Sequence, residues 1–353
     1  MAQKETRKMK KAAIITLYGL NNYGNRLQNY AMQVILNRVG IQAETIRINF
    51  KRYPKLWTKT QVKYIFRPFL DQKKREKVVR QKRFFEFEKN IRHARYIPEN
   101  ILDERELRSY DYFIFGSDQI WNAEFSSFSK FYLGYDTPTE KNIAVSASFG
   151  TDDIAPKYRD LFTEGLHNFK AISVRENVGA EIIRRYTDID CIVTPDPTLV
   201  VSMKEWCRVE KRVSVPENYV FTYFLGDMPA IDFGNTSVIH GETTSGFGPA
   251  EFIYLIHNAK TVYTDSFHAS VFSIIFGVPF YIFRRKGKYS SMMSRIDTLI
   301  DLFSFSYQKN EQYYYISREE VKNPKVEEKL CDLSNVMDRF LRTNLFGGVE
   351  HEG

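Results

Sequence analysis

Residues 261–276, TVYTDSFHASVFSIIF, change character halfway along. The first four read as a short strand, the residues from His268 to Phe276 as a helix. Between them Asp265 and Ser266 are helix-capping residue types. A strand that runs through a two-residue polar turn directly into a helix is the building unit of a parallel α/β layer, and it excludes a sandwich or a helical bundle. In such layers ligands bind outside the carboxyl ends of the strands, where loops and helix amino termini present donors. The turn Thr264-Asp265-Ser266-Phe267-His268 is therefore the first place to look for chemistry.

The same grammar repeats in both directions. Toward the amino terminus, a strand at 12–15 runs through Asn21-Asn22-Tyr23-Gly24-Asn25 into a helix with Leu27, Ala31, Val34 and Ile35 on one face, stopped by Gly40. A strand follows at 43–48. Buried strands at 110–115 and 142–145 exit at Gly116-Ser117-Asp118-Gln119 and Ser146-Ala147-Ser148, and one at 171–174 exits at Arg175-Glu176-Asn177, with Asn177 placed to cap the next helix. A strand at 191–193 meets Pro195-Asp196-Pro197, which ends the first series. The second series has strands at 219–224, 237–239, 261–264 and 279–283, a helix at 249–258, and a last helix at 326–341 expected to pack back across the first domain. At 353 residues two domains are the natural division. The polar stretch 202–216 separates them, giving an amino-terminal domain 1–205 and a carboxy-terminal domain 206–353, each Rossmann-like, with a helical basic insertion at 51–95 in the first.

Composition narrows the class. With 43% hydrophobic and 15% aromatic residues the chain can fill two cores, which excludes a disordered protein. Cys191, Cys207 and Cys331 form no CxxC pair and no Cys/His cluster in sequence, which argues against a metal site or a disulfide framework and for a reducing, cytoplasmic compartment. The apolar start at 12–17 is short and meets Gly19-Leu20-Asn21-Asn22, so it reads as a strand and not a signal peptide. The longest apolar run, 267–283, is interrupted by His268, Ser270, Ser273, Gly277 and Pro279 and is no membrane span. Residues 51–95 hold 16 Lys and Arg against 4 Asp and Glu, a local excess of +12 against +8 for the whole chain. The plain reading is a solvated helical face; the sharper one is peripheral contact with an anionic membrane or glycan carrier. Nucleic acid is not expected, because the basic stretch lacks the aromatic platforms and zinc motifs of such modules.

The strand-exit rule selects Asn22, Asn25 and Gln28; Ser117, Asp118 and Gln119; Ser146 and Ser148; Arg175; Asp196; and Asp265, Ser266 and His268. His268 stands out among six histidines because it falls in the first turn of a helix, where a bound phosphate would suit it to general acid work. Arg175 can grip a carboxylate or phosphate bidentately. Each has a plainer alternative: a cap histidine, an Arg175–Glu176 surface pair, an Asn/Gly turn at 22–25, capping at 117–119, a fixed turn at Asp196. Gly-x-Gly-x-x-Gly after the first strand, Walker A, Gly-x-Ser-x-Gly and His-Glu-x-x-His are all missing, and the glycine-rich 241–249 reads as a cleft loop.

Taken in order, NYGNRLQ at 22–28, GSDQIWN at 116–122, SASFG at 146–150, SVREN at 173–177, DPTL at 196–199 and TDSFHA at 264–269 resemble the polysaccharide pyruvyl transferase family. The resemblance implies two Rossmann-like domains arranged as in GT-B glycosyltransferases, with the active site in the cleft between them. It implies phosphoenolpyruvate as donor, no further cofactor and no metal. The acceptor would be a lipid-linked or oligosaccharide sugar of a surface-polysaccharide or capsule precursor. His268 matches the family's donor-binding acid and Arg175 one of its donor-gripping arginines, with Asn25 and Ser266 beside the donor. Asp118, Asp265 and Asp196 are left as candidates for hydroxyl activation or acceptor positioning. Where family members carry an arginine two residues before the histidine this chain has Ser266, and Arg284, Arg285 or Lys286 is expected to supply the cation. The competing reading is a sugar-nucleotide glycosyltransferase on the same plan.

Overall fold

A computed structural model describes residues 9–46, 53–94, 104–125, 127–242, 246–285, 294–310 and 312–347. Two sheets carry the chain. The first comprises β1 (Lys11–Ile15), β2 (Gln42–Thr45), β3 (Tyr112–Phe115), β4 (Asn142–Ala147), β5 (Ala171–Val174) and β6 (Cys191–Val193), all parallel, in the order β2-β1-β3-β4-β5-β6. The second comprises β7 (Val220–Tyr223), β8 (Val238–His240), β9 (Thr261–Thr264), β10 (Phe280–Phe283), β11 (Gln308–Lys309) and β12 (Tyr313–Ile316), in the order β11-β12-β10-β9-β7-β8. Its first four strands are parallel, while β12 runs antiparallel to both β10 and β11. The fold is thus α/β with two Rossmann-like, parallel-dominated sheets, a GT-B-like plan.

Central strands are apolar along their whole length because helices cover both faces: Phe113, Ile114 and Phe115 in β3 and Ala12 to Ile15 in β1 are fully buried. Strand order reverses between β1 and β3 in one sheet and between β7 and β9 in the other, and a crevice opens at each reversal. The helices entering these crevices are Tyr23–Arg38 after β1 and Phe267–Phe276 after β9. The first is capped by Asn22, whose side chain accepts from the Asn25 amide (3.3 Å), the second by Ser266, which accepts from the Ala269 amide (3.5 Å). Asn177 is not the cap expected of it. It is the first helical residue of Asn177–Tyr186, and Glu176 takes the cap position without a side-chain bond, its carboxylate being turned to Ser148 instead.

One apolar cluster runs through both sheets. Tyr23, fully buried, stacks on Phe84 (centroids 5.5 Å) and on Phe252 of the second half (4.3 Å), and tilts against Tyr223 (5.2 Å). Tyr30 and Phe272 close on Trp206 in the same way (5.4 and 4.8 Å). The last helix, Pro324–Phe346, returns to the first half, where Lys10 Nζ donates to the Leu345 carbonyl (3.1 Å) and Arg38 pairs with Asp338 (2.6 Å). None of the described helices is long and apolar enough to cross a membrane.

Candidate active site

The two crevices face each other, and their helix amino termini meet. A Cβ placed on Gly24 would lie 2.2 Å from Nδ1 of His268, so only glycine lets the first turn of Tyr23–Arg38 approach the imidazole so closely. His268 is 9% exposed, in the first turn of its own helix. Two positive helix ends from different sheets therefore converge on one ring, an environment that favours an anion.

On the other side of the ring lies a buried charge cluster. Asp196 Oδ2 is 3.8 Å from His268 Nε2 and accepts from Arg175 Nη1 (2.6 Å) and Ser117 Oγ (3.4 Å); Oδ1 accepts from the amide and hydroxyl of Thr198 (2.9 and 2.6 Å). Burial would raise the Asp196 pKa, but Arg175, His268 and these hydrogen bonds outweigh it and hold it down at about 2. Burial would likewise lower the Arg175 pKa; Asp196, Glu176 and Asp118 overcome that and raise it. Asp118 Oδ1 is 3.9 Å from Arg175 Nη2, and its other oxygen accepts from Asn25 Nδ2, closing the crevice between β3 and β1. The ring of Phe267 lies over the Arg175 guanidinium (4.9 Å), joining the halves by a cation–π contact.

Arg175 is thus not the open clamp expected from its place at a strand exit. Three carboxylates surround it. Nη1 is engaged by Asp196, while Nε and Nη2 make no hydrogen bond, nor does the facing Glu176 Oε2. These buried groups, paired as ions but without hydrogen bonds, border a narrow cavity of about 30 Å³, open to solvent, which Phe267, Leu199, Leu299 and Leu302 also line. A ligand group that both donates and accepts would satisfy them.

Asp265 is also occupied. Its oxygens accept from the amides of Leu225 (2.7 Å) and Gly226 (2.9 Å) at the exit of β7 and from Arg285 Nε (2.9 Å), while Arg285 Nη2 donates to the Asp265 carbonyl (2.9 Å). Asp265 anchors the turn, and its lone pairs are taken by partners that a hydroxyl activator would have to give up. Of the cations expected to replace the family arginine at Ser266, Arg285 reaches the turn, Arg284 is drawn to the Tyr314 hydroxyl, and Lys286 lies outside the described residues.

Several expected cleft residues lie beneath the site instead of lining it. Gln28, Ser117, Ser146 and Ser148 are fully buried. Gln28 ties Thr16 (2.8 Å) to the Ser117 amide (3.3 Å), Ser146 bonds the Pro195 carbonyl (2.7 Å), and Ser148 bonds Glu176 (2.6 Å). Gln119 braces Asn122 (3.0 Å) and packs on Gly150. Gly24, Phe267, Glu176 and Thr198 were not singled out, although all four sit inside the quoted motifs. Away from this site, Cys207, Glu210 and His257 do meet, although the sequence shows no Cys/His cluster. Glu210 bonds His257 Nδ1 at 2.9 Å and the Cys207 sulfur lies 4.0 Å from it, while burial and Glu210 push the thiol pKa up.

Among solved structures the chain is similar to a protein of uncharacterised function from Klebsiella pneumoniae (15% identity, 81% of this chain and 87% of that one, TM-score 0.40). It is also similar to the UDP-GlcNAc 2-epimerase of Neisseria meningitidis (10% identity, 96% and 99%, TM-score 0.44). Both scores are too low to add to the topology described above. No curated protein matches. The family model for polysaccharide pyruvyl transferases, however, matches residues 22–287, from the cap of the first helix past Arg285, and the chain belongs to the polysaccharide pyruvyl transferase family.

Proposed function

We propose that the protein transfers pyruvate from phosphoenolpyruvate to two hydroxyls of one sugar in a surface-polysaccharide precursor, forming a cyclic ketal in the cytoplasm. The observation that supports this most directly is the meeting of two helix amino termini at His268, beside a narrow pocket bordered by Arg175, Glu176 and Asp196 in which some hydrogen-bonding capacity is unused. The first environment suits an anionic donor and the second a neutral, hydroxyl-bearing acceptor. In this reading the phosphate and carboxylate of the donor lie against the amino termini at Gly24–Asn25 and Ser266–Phe267, with Arg285 as the nearest described cation at the Asp265–Ser266 turn.

His268 delivers the proton to the donor's methylene carbon. Asp196, ionised well below neutral pH, keeps a negative charge 3.8 Å from the ring that carries it. One sugar hydroxyl adds to the resulting oxocarbenium-like carbon, and a second hydroxyl then displaces phosphate and closes the ketal. In this reading Glu176, which borders the cavity, holds one such hydroxyl, Arg175 Nη2 and Nε donate to it, and Asp118 supports Arg175 from behind. Arg175 then belongs to the acceptor side, and its charge offsets the three carboxylates gathered around it in one buried place.

The test is ligand-induced stabilisation followed by turnover. Phosphoenolpyruvate at 100 times its Kd should stabilise the chain by about 2.7 kcal/mol through mass action, while UDP- and GDP-sugars leave Tm unchanged. Phosphate release from phosphoenolpyruvate should then require a sugar acceptor. Stabilisation by a sugar nucleotide and none by phosphoenolpyruvate would replace this reading with glycosyl transfer.

A further inference from the structure

The basic insertion folds as a helical hairpin, Tyr53–Ile65 packed on Gln72–Phe87, joined through the short turn Arg67–Phe69. Its two ends differ. At the base, Arg80 Nη2 donates to the Asn21 carbonyl (3.0 Å) and Nη1 to the Phe247 carbonyl (3.2 Å) and the Tyr23 hydroxyl; Arg83 donates to the Gly246 carbonyl (2.9 Å) and pairs with Glu251 (3.3 Å). The base is thus fastened to both halves directly behind Gly24. Toward the turn, Trp57, Val62, Ile65, Phe66 and Phe69 expose 47, 49, 68, 57 and 86% of their surface. Among the described residues 14 large hydrophobics are exposed, and these five fall within thirteen positions, Trp57, Val62 and Ile65 on the first helix of the hairpin and Phe66 and Phe69 in the turn that follows it.

A bare apolar stripe of this kind marks an interaction surface. Its surroundings identify the occupant. Lys55, Lys59, Lys63, Lys73, Lys74, Arg75 and Lys77 are all exposed around it, against Asp71 and Glu76 as the acids between residues 55 and 77. Positive charge alone would suit nucleic acid, but Val62 and Ile65 offer nothing to a phosphate backbone or a base. Apolar side chains ringed by lysines match the headgroup–acyl boundary of an anionic bilayer, where chains insert and ammonium groups meet phosphates.

We propose that this hairpin is a membrane anchor: residues 62–69 insert into the interface of an anionic phospholipid bilayer, and the lysines around them hold the headgroups. Because the base is tied to the helix that presents Gly24, insertion also holds the seam at a fixed height above the lipid. That last consequence rests on the transfer reading, since it is a lipid-linked acceptor that such a placement would serve.

Trp57 makes the insertion measurable, because the other two tryptophans, Trp121 and Trp206, are buried (1% and 0%). The full chain is mixed, without donor or acceptor, with vesicles of phosphatidylcholine alone or with 30% phosphatidylglycerol. Only the anionic vesicles should shift Trp57 emission to the blue, and brominated acyl chains should quench it. The double variant Phe66→Ser/Phe69→Ser should bind about tenfold or more weakly, and Lys73→Glu/Lys74→Glu/Arg75→Glu should bind weakly and lose its salt dependence. Circular dichroism and Tm should match the wild type, because all five changed positions are exposed. Unchanged Trp57 emission on bound vesicles, a double variant that binds like the wild type, or duplex DNA bound as tightly as the anionic vesicles would each overturn the anchor. None of these results would touch stabilisation by phosphoenolpyruvate, so the two readings fail separately.

Discussion

The crevice of the first sheet and that of the second solve the same problem with different materials. Between β1 and β3 the closure is made by side chains: Asn25 on Asp118, then Arg175 among Asp118, Glu176 and Asp196. Between β7 and β9 it is made by backbone, with one carboxylate, Asp265, holding the consecutive amides of Leu225 and Gly226. The first sheet also holds non-glycine residues in the left-handed region, Asp118 at φ 72° past β3 and Ser146 at φ 50° within β4, which costs on the order of 1 kcal/mol or more each; Ser266 sits at an ordinary −97°. The contrast teaches where rigidity and where chemistry are placed. The second crevice is a satisfied mount for one imidazole. The first is a charged pocket in which every member depends on the others and some hydrogen-bonding capacity is left for a ligand.

The largest effect should come from removing what the mount carries. His268→Gln is expected to lower kcat about 10³-fold while leaving Tm within a few degrees, as read by phosphate release and calorimetry; comparable losses of both would make the histidine a packing residue. On the opposite side, Asp196→Asn should reduce stability by about 2–3 kcal/mol in urea unfolding, because a buried guanidinium loses its closest counter-charge. An unchanged midpoint would mean that Glu176 and Asp118 suffice. Gly24→Ala tests the contact between the crevices: a Cβ that meets the ring must move it, and kcat should fall about 10²-fold with little change in acceptor KM. Asp265→Asn should cost less, about 1–2 kcal/mol, since an amide still accepts from one backbone donor.

Acid provides the mildest probe. Asp196 and Glu88 are both held at about 2, Glu88 because Arg26 and His93 outweigh its burial. Folded pKa values depressed below those of the unfolded chain contribute stability that is complete above about pH 4.5 and is lost as the pH falls toward 2. Both groups lie in the first half, Glu88 at the end of the insertion and Asp196 just past β6, so hydrogen exchange between pH 4.5 and 2 should rise there before it rises around β7–β10.

Much of this was readable from residue order. Strand–turn–helix alternation is a strong local signal, and it places ten of the twelve strands among the described residues, together with the loops that form the candidate site. It passed over β11 and β12, although Tyr313-Tyr314-Tyr315-Ile316 is rich in strand formers, because an antiparallel edge pair breaks the alternation. What residue order does not carry is the direction of a side chain. Gln28 lies in the helix after β1, Ser146 near the end of β4 and Ser148 just past it, and all three point into the protein. Arg284 and Arg285 are neighbours on an extended exit, so they face opposite ways: one to Tyr314, the other to Asp265. Cys207 and His257 meet from fifty positions apart, a proximity no spacing rule could reveal.

The ring of Tyr23 has a consequence for how the chain is made. During synthesis β1 to β6 are complete well before Tyr223 and Phe252 exist, so the first sheet must emerge with this aromatic in water and with Arg80 lacking the Phe247 carbonyl. Phe84 is a stacking partner already available early. The first half therefore leaves the ribosome with this aromatic contact unmade, and the first turn of the helix that carries Gly24 gains its full packing only when residues 247–252 arrive to close over it.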